Sequence, residues 1–170
     1  MALVLDGNGT MTVGNGDITG LVEGALPSTV IGVGAVLQVV SVSTVVNTQT
    51  SSTSYIDSGV SASITPKFST SKILVLVNMA GVYKNTANIY GLMRLVRNST
   101  ELIKMEGAFG YNDTSNENNI GAASACHLDT PATTSSTTYK TQISVNDPSG
   151  SIGIGRNSAT STITLIEIAA

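Results

Sequence analysis

The chain holds one cysteine, one histidine and no tryptophan. A lone cysteine closes no intrachain disulfide, so stability has to come from burial or association. Charge is scarce too. Only 11% of residues are charged, with eight Lys and Arg against eleven Asp and Glu, for a net charge of -3. The basic face that neutralises phosphates is therefore missing, and nucleic-acid binding is not expected. The longest apolar runs, AVLQVV and KILVLVNMAGV, are too short and too polar to span a bilayer, so no membrane insertion is expected. MALVLDGNGT has no basic start, and glycine breaks it before a signal-peptide core forms. No long amphipathic helix stands out either. The best helical stretch, YGLMRLVRNSTELIKMEG, is interrupted at Asn98-Ser99-Thr100, which reads as a hairpin turn between two short strands.

What remains is a chain of 170 residues that is 41% apolar and otherwise rich in Ser, Thr, Asn and Gly. That composition suits one β-domain whose outward positions are hydroxylated rather than ionised. Period-two alternation supports it. In YKTQISV, Tyr139, Thr141, Ile143 and Val145 share one face, and Lys140, Gln142 and Ser144 share the other. VSASI places Val60, Ala62 and Ile64 inward, after an expected turn at Asp57-Ser58-Gly59. KILVLVNM and TITLIEI differ in being apolar on both faces: Ile73, Val75, Val77 and Met79 oppose Leu74 and Leu76, and Ile163 and Leu165 oppose Ile166 and Ile168. A second apolar row needs cover from another sheet or another subunit, the first hint of an oligomer.

The expected fold is an all-β, antiparallel, jelly-roll-like sandwich of nine or ten strands. The strands are placed at 36–46, 54–57, 60–65, 73–83, 88–97, 101–106, 121–128, 137–146, 151–155 and 161–168. Two polar loops, 111–119 and 129–136, are expected at one end of it. The sandwich is assigned to residues 35–170, preceded by a glycine-rich arm, residues 1–34, too polar to fold alone and expected to order against a partner. Its apolar positions Leu3, Leu5, Met11, Val13, Ile18 and Leu21 are the candidate anchoring contacts.

Candidate chemistry is thin. Asp6, Asn8, Thr10 and Asp17 fall at calcium-loop positions, but Met11 stands where that loop needs glycine, so a glycine-turn hairpin is the better reading. Cys126, His127 and Asp129 lie close in sequence, yet neighbours in a strand project to opposite faces, so the thiol and imidazole cannot meet. Cys126 is expected to pack as a buried small hydrophobe. Neither Glu101 with Glu106 nor Asp113 with Glu117 has a spacing that sets an acid and a base across a cleft. No catalytic residue, cofactor or metal site is assigned. Glycan contact has more to offer it. Tyr83, Tyr90 and Tyr111 are candidates to stack on sugars, with Asn112, Asp113, Asn116, Asn118 and Asn119 completing a receptor-contacting loop; the alternative is that Tyr83 and Tyr90 belong to the core or an interface.

SYIDSGVSASITP, SKILVLVNMAG, HLDTPATTSSTTYKTQISV and SATSTITLIEI, in that order, resemble a family of bacteriophage fibre and spike domains, and the likeness runs from about Gly34 to Ala170. The resemblance implies a compact sandwich assembled as a homotrimer, a place on the virion, and no enzymatic activity. The partners it implies are other virion proteins through the arm, and host surface glycans at the far end. A capsid decoration or cement protein is the alternative, and a glycan-hydrolysing module a more distant one.

Overall fold

The computed structural model describes residues 32–111 and 118–170, and all of its regular structure is strand except one 3-10 turn at Arg156–Ser158. The strands are β1 (Val36–Thr44), β2 (Thr48–Thr50), β3 (Ile56–Ile64), β4 (Lys72–Lys84), β5 (Gly91–Arg97), β6 (Thr100–Phe109), β7 (Asn118–Asp129), β8 (Thr137–Val145), β9 (Ile152–Ile154) and β10 (Ser161–Ile168). They form two antiparallel sheets. One runs β3-β8-β5-β6. In the other, β7 lines one edge of the long β4, while the opposite edge is shared by β10 at Lys72–Asn78 and by β9 at Tyr83 and Lys84. With the short pair β2 and β9 set aside, the orders are β1-β10-β4-β7 and β3-β8-β5-β6. That interleaving of two Greek keys is a jelly roll.

Alternation builds the core. Ile73, Val75, Val77 and Met79 of β4, Ile163 and Leu165 of β10, and Tyr139, Ile143 and Val145 of β8 all point between the sheets, as their period-two pattern predicts. The β5–β6 hairpin turns at Asn98 and Ser99, where Asn98 adopts a positive φ of 53°. Its side chain is useful there: the Asn98 amide oxygen accepts the Thr138 N–H at 3.0 Å and ties the turn to β8.

Four expectations need correction. Asp57-Ser58-Gly59 is no turn between strands but a bulge inside the single strand β3, where pairing with β8 skips between Asp57 and Ser61. Gly59 makes it possible: its φ is +88°, and an added Cβ would lie 3.2 Å from the Val46 side chain. β2, only three residues of TQT, carries no readable alternation, and its pairing with β9 fixes it. Asn118 and Asn119 are not in a loop, since β7 begins at Asn118 and pairs there with Lys84 and Tyr83. Finally, the loop 129–136 and Tyr111, where the other polar loop is expected to begin, sit at opposite ends. One strand of 12 residues separates them, a span of roughly 36–40 Å at the usual rise per residue.

The molecule therefore has two distinct ends. Residues 1–31 join at Gly32, where the Gly34 N–H donates to the Ala169 carbonyl, and Val36, Ile168, Lys72 and Asp129 mark that end of the sheet. Tyr90, Phe109 and Tyr111 lie at the other end. The proposed anchoring positions Leu3, Leu5, Met11, Val13, Ile18 and Leu21, and the calcium-loop positions, lie outside the described residues.

Candidate functional site

Register decides what each sheet presents to the outside. On the β1-β10-β4-β7 sheet, Val39, Ile166, Leu74 and Leu128 stand side by side, one from each strand. The next row is Ser41, Thr164, Leu76 and Cys126, and the one after it is Ser43, Thr162, Asn78 and Ser124. A bulge between Val36 and Gln38 shifts the phase of β1, so that Val36 and Val39 both face outward although three residues apart. The face is apolar where the first row runs and hydroxylated beside it, with Ser41 and Thr164 sharing a hydrogen bond of 2.9 Å. Among the described residues its one charge is Lys72, at the Gly32 end. A shallow depression of about 490 Å³ lies over it, lined by Leu76, Asn78, Ser124, Cys126, Thr162 and Thr164.

Of the seven large hydrophobics left exposed among the described residues, four are on this face: Val36 (60%), Val39 (57%), Leu76 (38%) and Leu128 (49%). Val33 and Val45 flank β1, and Tyr111 stands at the far end. The other sheet exposes none. Its outer surface is a network of charge instead: Lys140 Nζ donates to Asp57 at 2.6 Å, Gln142 to Asp57 at 2.7 Å, Arg94 to Gln142 at 2.8 Å and to Glu101 at 2.9 Å. Arg94 also lies 4.0 Å over the Tyr55 ring. Hydrogen bonds from Lys140 and Gln142 hold the Asp57 carboxyl below its ordinary range, against a small opposing effect of burial. One face is thus dressed for water and the other is not.

Cys126 is exposed, which corrects its expected burial. In β7, Ala123 and Asp129 turn inward, so Ser124, Cys126 and Leu128 must turn outward. His127 is on the opposite side from Cys126, and no thiol–imidazole pair exists. Asp129 is committed elsewhere. Its carboxylate accepts Arg97 Nη1 at 2.8 and 2.9 Å and the Tyr139 hydroxyl at 2.7 Å, joining the two sheets at the arm end. Burial, reinforced by the neighbouring Asp129 carboxylate, pushes the Tyr139 phenol far above its usual range, so it remains a donor. Glu167 is fully buried at the same end, accepting from Gln38 at 2.5 Å and from the Lys67 N–H at 2.7 Å. Burial opposes its ionisation, but these hydrogen bonds win and its pKa is lowered. Both acids serve as internal clamps. Glu101 pairs with Arg94, and Asp113 and Glu117 lie outside the described residues.

At the other end, Tyr83 is buried with the Arg156 guanidinium 5.2 Å from its ring centre, so it offers no sugar platform. Tyr90 and Tyr111 form an edge-to-face pair, 6.3 Å between centroids, and Tyr111 is 60% exposed. Of the receptor-contacting candidates, Asn112, Asp113 and Asn116 lie outside the described residues. Sequence reasoning found the tyrosines and the β4 and β10 members of the outer apolar row, but not Val39 and Leu128, which join that row only through register. No known family model and no curated protein matches the chain.

Proposed function

We propose that this chain is a non-enzymatic structural subunit of a bacteriophage particle, a homotrimeric fibre or spike that projects outward and touches the host surface. The observation that carries the proposal is the polarity of the sandwich: Gly32 lies at one end, and Tyr111 lies at the other. A subunit anchored through its arm would present Tyr90, Tyr111 and the Asn-rich loop outward, the chemistry that suits glycans. The resemblance to fibre and spike domains supports the same reading. So does the use of Asp129, Glu101 and Glu167 in holding the fold, which leaves them in ion pairs and hydrogen bonds rather than facing one another across a cleft.

Immunogold labelling tests this, with antibody raised against the purified full-length chain and applied to phage particles that carry it. Gold on projecting structures is the expected result. Labelling spread evenly over the capsid lattice favours the cement alternative, and labelling of host cells alone overturns a virion role. Deleting residues 1–34 separates the first two further: a fibre tip keeps its binding to cells and loses the particle, whereas cement never bound cells.

A further inference from the structure

We infer that three copies of this chain pack the outer faces of their β1-β10-β4-β7 sheets around a common threefold axis. The inference rests on the trimeric reading above and assigns that trimer its surface. The face calls for cover, since it holds four of the seven large hydrophobics exposed among the described residues while the opposite sheet carries ion pairs. Its near absence of charge selects the occupant. An acidic or basic partner finds no complement there beyond Lys72, whereas a second copy offers the same valine, leucine and isoleucine row and the same hydroxyl rows beside it. One extended segment of residues 1–31 would cover little more than one strand's width of a face four strands across.

The width of the face limits the number of copies. Four strands about 4.8 Å apart make a face roughly 19 Å wide. Three such faces closed into a triangle leave roughly 5.5 Å from each sheet to the axis, about half the ~10 Å that separates packed sheets. The side chains of three copies therefore fill the interior. Four copies would leave nearly twice that distance, about 10 Å, and a wet channel against the apolar row. Two copies face to face also reach packing distance, so the choice of three over two rests on the trimeric reading above. In the triangle each corner sets β1 of one copy against β7 of the next. The most exposed members of the row, Val39 and Leu128, lie on those two edge strands.

The native thiol gives a direct readout. Cys126 lies on this face and is the only cysteine. The experiment combines light scattering with the rate at which Cys126 reacts with a soluble disulfide reagent, for the full-length chain, Leu74→Lys, Leu128→Lys, the opposite-face control Ser61→Lys, and a chain lacking residues 1–31. Three chain masses are expected for the wild type and Ser61→Lys, and one chain mass for the two face variants, with cooperative melting retained. Thiol reaction is expected to be at least about tenfold faster in Leu128→Lys than in the wild type, because access limits the rate. A wild-type trimer whose Cys126 reacts freely overturns the face and leaves the trimer standing, even if the lysine variants fail to fold. A wild-type monomer overturns both. A thiol released only by removing residues 1–31 shows that the arm covers the face and overturns packing between copies.

Discussion

Asp129 and Glu167 show how two acids in a weakly charged chain are spent. Asp129 accepts three hydrogen bonds from two residues on the other sheet, and its removal would leave the Tyr139 hydroxyl buried without a partner. Asp129→Ala is therefore expected to cost about 2–3 kcal/mol, read from the midpoint of urea unfolding. Glu167 titrates in a predictable direction. Its folded pKa lies below the ordinary 4.5, so its contribution to stability is complete above about pH 4.5 and is lost as pH falls through the folded value. Glu167→Gln should flatten that acid limb, measured as unfolding free energy against pH.

Among the elements, legibility followed the contrast between a strand's two rows. β8 sets Tyr139, Ile143 and Val145 against Lys140 and Gln142, and the apolar row points into the core as the alternation predicts. β4 and β10, apolar on both faces, turn Ile73, Val75, Val77 and Met79 and Ile163 and Leu165 inward. β7 has no such contrast. Ala123, Ala125, His127 and Asp129 are no more apolar than Ser124, Cys126 and Leu128, so the strand's phase was set by Asp129 reaching Arg97 and Tyr139. The general preference of cysteine for burial gave Cys126 the wrong side. The bulge in β3 was hidden for a different reason: Asp-Ser-Gly has turn chemistry whether the chain reverses or merely kinks. Gly59→Ala distinguishes these locally, since a side chain there has to accept φ near +88° and press on Val46. A loss of about 1–2 kcal/mol is expected by thermal melting. A loop turn open to solvent would cost little beyond the φ strain.

At the scale of the molecule, the jelly roll was readable from strand number and spacing, but its two-endedness was not. That property depends on β7 running the full length of the sheet, which places the arm and Tyr111 apart. The outer apolar row was equally hidden in detail, although the surplus of apolar residues in β4 and β10 already called for a neighbour. On the proposed function, the Gly32 end is the attachment end, the Tyr111 end the presenting one, and the nearly uncharged flank packs between copies. Native mass spectrometry of the full-length chain at micromolar concentration tests threefold assembly most directly. The predicted result is a single folded species at three times the 17.4 kDa chain mass. A folded species at one chain mass would contradict it.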